Sequence, residues 1–419
     1  MAEMFDNTEK KARIMLAAVD LGEYDVNRSL DELEELTDTA GGEVIVRVVQ
    51  RRPSIDTASC IGSGRLEEMA EICEREEIDQ IIFDCELTAT QIRNIEDVCK
   101  VHTIDRTMLI LDIFAQRATT HEGRLQVEIA QNKYRLPRLA GMGVNLSRQG
   151  GGIGTRGPGE SKLETDKRHI RTRIEALTRE LKEIEKRRGL MRARRKKDGV
   201  LIAAIVGYTN VGKSTLLNTL TEAGVLAENK LFATLETTSR SIELPDGRSV
   251  MLVDTVGLIS RLPHHLVEAF KSTLEEAANA DVILHICDAS ADDCEEQARV
   301  TLELLNDLGC EGIPVVTVLN KCDKAPYIDK LEVGEDESVV KISAKNGTGI
   351  DNLLEAIQKA LPQSCVRCKL LLPFDKAGLL NTIRVDGKVF SEEYTADGIE
   401  TDALVDIKVY HLVENYKIK

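Results

Sequence analysis

Val200-Leu-Ile-Ala-Ala-Ile-Val-Gly-Tyr-Thr-Asn-Val-Gly-Lys-Ser-Thr-Leu-Leu-Asn-Thr-Leu220 joins an apolar run, a glycine-bracketed turn and a helical pattern. Its centre, Gly207 to Ser214, matches G-x-x-x-x-G-K-[ST] between a strand and a helix, the context that spacing needs to bind phosphate. Backbone N–H groups of Gly207, Tyr208, Thr209, Asn210, Val211 and Gly212 would cradle the α- and β-phosphates. Lys213 would reach the β- and γ-phosphates, the Ser214 hydroxyl would ligate Mg²⁺, and Thr215 opens the helix.

Two further strand ends complete the pattern. Val250-Met-Leu-Val-Asp254 runs into Thr255, Val256 and Gly257. An Asp there can hold Mg²⁺ through water, and the Gly257 N–H can sense a γ-phosphate. The run 314–320 ends in Asn320-Lys321-Cys322-Asp323. A carboxylate at Asp323 can accept from both N1–H and the exocyclic amine of guanine, a donor pair that adenine lacks, so GTP is selected over ATP. Ser343, Ala344 and Lys345 follow the last run, 339–343, and would close over the base. Apolar runs at 200–207, 250–254, 281–288, 314–320 and 339–343 alternate with helical patterns, which predicts a doubly wound, mostly parallel α/β domain over 198–361.

The remainder of the 419 residues is long enough for several domains. Apolar residues make up 42% and aromatics 3%, without Trp, so the cores must be aliphatic. The longest apolar run, 200–206, is far short of the roughly 20 residues of a membrane helix. Residues 1–11 lack the apolar stretch of a signal peptide. A cytoplasmic protein, at most weakly membrane-associated, is expected, with its ten cysteines as free thiols. The net charge of −16 is uneven: residues 116–197 hold 22 Lys/Arg against 9 Asp/Glu, a net of +13, leaving −29 on the rest. Such a protein should meet a polyanion through that arm.

Residues 1–115 read as a small α/β unit, with strands at 44–49 and 78–83 and helices at 65–77 and 88–100. The segment 107–114 leads into the arm. The arm reads as an antiparallel helical hairpin, 119–139 and 161–197, with Leu125, Ile129, Leu136 and Leu139 facing Leu163, Ile170, Ile174, Leu177, Leu181 and Ile184. Ser161 or Thr165 would cap its second helix. The glycines of 150–160 should keep that loop irregular. In the tail, 362–419, strands are expected at 368–373, 381–385 and 407–412, with a helix at 374–380.

The order of signatures resembles that of Ras-like, translation-factor-type GTPases. Asp105-Arg-Thr-Met-Leu-Ile-Leu-Asp-Ile-Phe-Ala-Gln-Arg117, Gly150-Gly-Gly-Ile-Gly-Thr-Arg-Gly-Pro-Gly-Glu160, Leu231-Phe-Ala-Thr-Leu235 and Ser272-Thr-Leu-Glu-Glu276 are similar to the HflX family of ribosome-associated GTPases. The resemblance spans about residues 40–360. It implies four parts: an N-terminal α/β domain, the hairpin, the GTPase domain and a small C-terminal α/β domain. It also implies a monomer that binds the large ribosomal subunit and its rRNA and splits or rescues stalled ribosomes. Within Phe232-Ala233-Thr234, it makes Thr234 the threonine that closes on Mg²⁺ and the γ-phosphate, although Thr237 and Thr238 stand nearby. Lys213, Thr234 and Gly257 are then the catalytic groups, and Ser214, Thr234 and Asp254 the Mg²⁺ set. Asn210 resembles the asparagine of GTPases that hold K⁺ beside the phosphates; equally, it suits a left-handed turn.

After Gly257 stands Leu258, where Ras-type enzymes use Gln to orient the attacking water. Slow unassisted turnover is expected. Gly62-Ser-Gly-Arg65 reads as a turn, although the resemblance allows a second nucleotide there. Cys365 and Cys368 read as reduced thiols, and His264 and His265 as loop surface. The run 186–197, with eight Lys/Arg and no acid, fits RNA phosphate. Competing readings are a GTP-timed switch acting on a protein or membrane partner, and an ATP-driven RNA remodeller using the N-terminal domain.

Overall fold

The computed structural model describes residues 11–142, 158–221, 231–232, 238–259, 261, 276–325, 338–362 and 365–418. It forms two compact units. One runs to Leu190 and takes in Glu228–Glu236 and Ile259–Ser272; the other comprises Met191–Ala227, Thr237–Leu258 and Thr273–Lys419.

In the first unit, β1 (Ala12–Asp20), α1 (Val26–Thr39), β2 (Gly42–Arg51), α2 (Ser63–Arg75), β3 (Gln80–Phe83), α3 (Ala89–Cys99) and β4 (His102–Asp105) alternate along the chain. The strands form one parallel sheet in the order β2-β1-β3-β4. The elements expected at 44–49, 65–77, 78–83 and 88–100 are β2, α2, β3 and α3. The central strand β1 was not expected. Its stretch Ile14-Met-Leu-Ala-Ala-Val19 is buried throughout, as a parallel strand covered on both faces must be. Asp25 caps α1 by accepting from the Asn27 and Arg28 N–H groups, and Thr88 with Gln91 forms a capping box on α3.

The segment 107–114 lies in a helix, α4 (Arg106–Arg117), capped by Asp105. The fully buried Asp105 carboxylate also accepts from the Leu87 N–H and from Tyr134 Oη at 2.5 Å. Tyr134 lies on α5 (His121–Met142). Burial, with that carboxylate beside it, pushes its phenol up. Helix α6 (Pro158–Lys197) returns along α5. His121 meets Glu180 and Glu128 meets Arg173, so the two helices are antiparallel, and Leu125, Ile129 and Leu177 form their shared core. Two expectations change. Pro158 is already helical, as proline suits a first turn, so Ser161 and Thr165 lie inside the helix rather than at its N-cap. Residues 158–160 are therefore helical, while 150–157 lie outside the described residues.

The first unit also holds two residues from the GTPase segments. Phe232, at φ 54°, sets its ring edge-on to Phe114 at 4.6 Å. Arg261 donates to Asp84 Oδ2 at 2.8 Å and Ser29 Oγ at 3.0 Å, and stacks on Tyr24 at 3.8 Å. Asp84 is buried and also binds Arg106 at 3.0 Å, so its one carboxylate joins two guanidinium groups.

In the second unit, β5 (Leu201–Gly207), α7 (Lys213–Thr221), β6 (Thr238–Glu243), β7 (Ser249–Asp254), β8 (Val282–Asp288), α8 (Cys294–Asp307), β9 (Val315–Asn320), β10 (Ser338–Lys341) and α9 (Ile350–Ala360) build a six-stranded sheet flanked by helices. The order is β10-β9-β8-β5-β7-β6, with only β6 antiparallel. The five expected strand runs correspond to β5, β7, β8, β9 and β10. The fold class is α/β, as expected.

The tail corrects its expectation. β11 (Cys365–Leu372), β12 (Gly387–Tyr394) and β13 (Ile399–Asp406) form an antiparallel sheet in the order β11-β13-β12. Residues 381–385 lie in α10 (Gly378–Asp386) and 407–410 in α11 (Ile407–Tyr410), not in strands. The 381–385 stretch alternates like a strand, yet Leu380 and Ile383, three apart, are buried while Val385 is 82% exposed. That spacing is helical. Within 374–380, residues 374–376 form a 3₁₀ turn and the α-helix starts only at Gly378. Among the described residues, no helix is long and apolar enough to cross a membrane.

Candidate nucleotide site

The site lies at the carboxyl ends of β5, β7, β8 and β9, where an open α/β sheet binds its ligands. Gly207 ends β5, the turn carries Asn210 at φ 62° and Gly212 at φ 96°, and α7 starts at Lys213. Consecutive backbone N–H groups in such a turn form a cup for anions. The Thr209 N–H, expected among them, instead donates to the Leu258 carbonyl at 2.7 Å. Gly212 is required twice over: its φ is left-handed, and a Cβ there would lie 2.4 Å from Asn320 Nδ2.

Lys213 is buried, its Nζ donating to the Gly207 carbonyl at 3.1 Å and the Tyr208 carbonyl at 2.7 Å. Desolvation pushes its pKa down to about 8, against the pull of the Asp254 charge. Ser214 Oγ donates to Asp254 Oδ2 at 3.1 Å. A hydroxyl and a fully buried carboxylate that close together fit a Mg²⁺ site of the phosphate-loop type. Thr255 Oγ1 donates to the Ile205 carbonyl at 2.8 Å, tying the end of β7 to β5 and fixing Val256 and Gly257 behind it.

The guanine-reading loop is wired to the phosphate loop. Asn320, 2% exposed, donates from Nδ2 to the Val211 carbonyl at 2.8 Å and accepts from the Ala344 N–H at 2.9 Å. Lys321, at φ 62°, bonds the Asn210 carbonyl at 2.8 Å and Asp288 Oδ2 at 2.7 Å. Ser343 Oγ donates to Asp323 Oδ1 at 2.6 Å, and chiefly that bond holds the Asp323 carboxyl below the usual range. Asp323 is thus an ionised acceptor aimed by its neighbour.

Thr215 follows on α7, and Lys345 lies in the exposed turn beyond Ala344. Phe232 is placed in the first unit, as described above. Ala233, Thr234 and Thr237, with His264 and His265, lie outside the described residues. Two supporting residues were not anticipated. Asp288 ends β8 and holds Lys321, a role its strand-end position could have suggested. Thr219 donates to the Ala344 carbonyl at 2.7 Å, for which the sequence carries no signal. Gly62 does precede a helix, α2, without a side-chain cap, and Cys365 and Cys368 are free thiols on β11.

Comparison with known proteins agrees with this geometry. Residues 202–321 match a family model described as 50S ribosome-binding GTPase, 27–115 one described as GTP-binding GTPase N-terminal, and 117–195 one described as GTP-binding GTPase Middle Region. The chain is 49% identical to GTPase HflX of Caldanaerobacter subterraneus subsp. tengcongensis, over 97% of this chain and 94% of the relative. It is 40% identical to GTPase HflX of Escherichia coli K12, over 88% of each. It is also similar to the crystal structure of a GTP-binding protein from Sulfolobus solfataricus in complex with GDP, at 25% identity, 83% of this chain, 98% of that chain and a TM-score of 0.44. Identity of this order along nearly the whole chain shows that it belongs to the HflX family of GTPases and hydrolyses GTP.

Proposed function

We propose that this GTPase binds the large ribosomal subunit through rRNA and uses its GTP cycle to split or rescue stalled ribosomes. The observation that carries this reading is the basic arm, +13 over residues 116–197 in an otherwise acidic chain. The description of the family model for 202–321 supports it. Four domains, 1–115, 116–197, 198–361 and 362–419, divide the work, with the arm as the RNA-binding part.

Ser214 and Asp254 and, by family resemblance, Thr234 would hold Mg²⁺, which would supply charge neutralisation on the phosphates. Lys213 and the Gly257 N–H address the γ-phosphate, and Asp323 and Asn320 set the base. Leu258 is 2% exposed and its side chain is apolar, so it cannot orient a water, while its backbone bridges Gly207 and Thr209. The large subunit therefore stimulates turnover.

The structure selects which arm residues test this. Arg192 binds Glu276 at 2.8 Å, a pair only 19% and 8% exposed, so reversing Arg192 would break a protein contact. Arg187 and Lys197 are exposed, and the Arg194 side chain is 85% exposed. R187E/R194E/K197E should weaken co-sedimentation with large subunits. Each lost phosphate contact should flatten the plot of log affinity against log salt by about 0.7–0.9. Shortening 150–159 should spare docking but remove the effect on the ribosome. Groups supplied in trans are worth roughly 10³–10⁵ in other GTPases, so saturating subunits should raise turnover at least about tenfold. Salt-insensitive binding, or turnover unchanged by subunits, rejects the ribosomal reading in favour of a protein-partner switch.

Asn210 supplies an amide beside the phosphates and so a ligand for K⁺. Hydrolysis should run faster in K⁺ than in Na⁺ at equal ionic strength. Equal rates leave Asn210 as the left-handed turn residue that its φ already makes it.

A further inference from the structure

The buried Leu258 leaves open which group of this chain aligns the attacking water. We infer that the Thr209 hydroxyl is that positioning group. This rests on the reading of residues 207–214 as the phosphate loop of a GTPase.

Four hydroxyls around the site are committed. Thr255 holds the Ile205 carbonyl, Ser214 meets Asp254, Ser343 meets Asp323 and Thr219 holds the Ala344 carbonyl. Thr209 differs: the residue is 5% exposed, and its Oγ1 is buried with no hydrogen-bond partner among the described residues. An unpaired buried hydroxyl is costly, so it calls for a partner that the described residues do not supply.

Its position shows which partner. A Cβ built on Gly257 would lie 2.7 Å from Thr209 Cγ2 and 3.1 Å from Lys213 Nζ. The Thr209 methyl thus packs against Gly257, and Lys213 Nζ approaches the same glycine, so the Thr209 side chain lies beside the groups that address the γ-phosphate. The backbone is pinned, since the Thr209 N–H donates to the Leu258 carbonyl at 2.7 Å and the Leu258 N–H to the Gly207 carbonyl at 3.1 Å. A β-branched side chain on a pinned backbone is stiff at χ1, so the hydroxyl is set before GTP arrives. There Oγ1 accepts one hydrogen bond from the water and turns its lone pair toward the γ-phosphorus. The water–phosphorus bond forms as the bond to the β–γ bridging oxygen breaks; GDP leaves with that electron pair, and a proton of the water passes to a γ-phosphate oxygen, giving inorganic phosphate. Thr209 exchanges no proton and acts by orientation alone.

The test uses the full chain with T209V, which keeps the shape and deletes the hydroxyl, and T209S, which keeps the hydroxyl. Affinities for fluorescent GDP, a non-hydrolysable GTP analogue and GDP with AlF₄⁻ are measured beside single-turnover hydrolysis. T209V should bind GDP and the analogue within twofold of the parent chain, hydrolyse GTP at least tenfold more slowly, and lose AlF₄⁻-dependent binding by a similar factor. T209S should recover most of both. Unchanged hydrolysis in T209V overturns the inference. So does a matching loss of GDP affinity, which would make Thr209 a structural part of the loop, or a failure of T209S to rescue, which would assign the effect to the methyl group. If the parent chain binds no GDP, the phosphate-loop reading fails instead, a result distinct from any of these.

Discussion

Lys213→Ala is expected to reduce GTP turnover by about 10²–10³, the scale seen when one donor aimed at developing charge is removed, and to weaken GTP binding more than GDP binding. The asymmetry follows from reach, because the ammonium serves the β- and γ-phosphates, and only the first is present in GDP. The nucleotide-free site adds a pH signature. Burial holds the Lys213 pKa at about 8, below its ordinary 10.5, with two backbone carbonyls as its hydrogen-bond partners. Bound polyphosphate places negative charge beside Nζ and raises the pKa again. The free protein therefore loses this proton as pH rises through about 8, while the complex keeps it. Nucleotide affinity should fall with rising pH above that point, by at most about tenfold per pH unit. Binding there should take up protons, up to one per site. Calorimetry in buffers of different ionisation enthalpy measures this uptake, and K213A should abolish it. Equal losses of GTP and GDP in K213A would show that the loop had collapsed rather than lost one contact.

The chemistry of this site was legible because it is local. Each element sits at the end of an apolar run, so strand context and residue type could be read together at Gly207–Ser214, Asp254–Gly257 and Asn320–Asp323. What escaped was the bonding between elements. Asp288 holds Lys321 from another strand, and Arg192 meets Glu276, 84 positions along the chain. Neither pairing has a spacing rule, since both are set by how strands and helices stack. Likewise, Asp84 becomes a junction of two arginines only when Arg106 and Arg261 converge on it.

Periodicity misled where burial was incomplete. Residues 381–385 alternate like a strand, yet α10 buries only Leu380 and Ile383 of its neighbourhood and leaves Val385 exposed. The neighbouring β13 shows the true period of two, with Ile399, Thr401, Ala403 and Val405 all buried. In β1 the opposite holds: with both faces covered, the alternation that marks a half-buried strand never appears.

Asp323→Asn should lower GTP affinity by about 10²–10⁴ and shift the base preference toward xanthine. The carboxylate accepts two charge-assisted hydrogen bonds from guanine, N1–H and the exocyclic amine, and each such bond is worth about 1.5–3 kcal/mol. An asparagine offers one acceptor and one donor. Against guanine the donor faces a second donor, whereas xanthine replaces the amine with a carbonyl and restores the match. The surroundings should survive the change. Asn320 keeps its bonds to the Val211 carbonyl and the Ala344 N–H, and Lys321 keeps Asp288, so the loop geometry does not depend on the Asp323 charge. Ser343→Ala provides the graded control. It removes the 2.6 Å bond that aims Asp323 and keeps its carboxyl acidic, but leaves both acceptor oxygens in place. GTP affinity in S343A should therefore fall by about tenfold or less, the worth of one hydrogen bond, with guanine still preferred over xanthine. Competition of GTP, ATP and XTP against a fluorescent GDP reads all three chains. If D323N retains the guanine preference of the parent, Asp323 does not read the base; if S343A switches to xanthine, the carboxylate is not the group that discriminates.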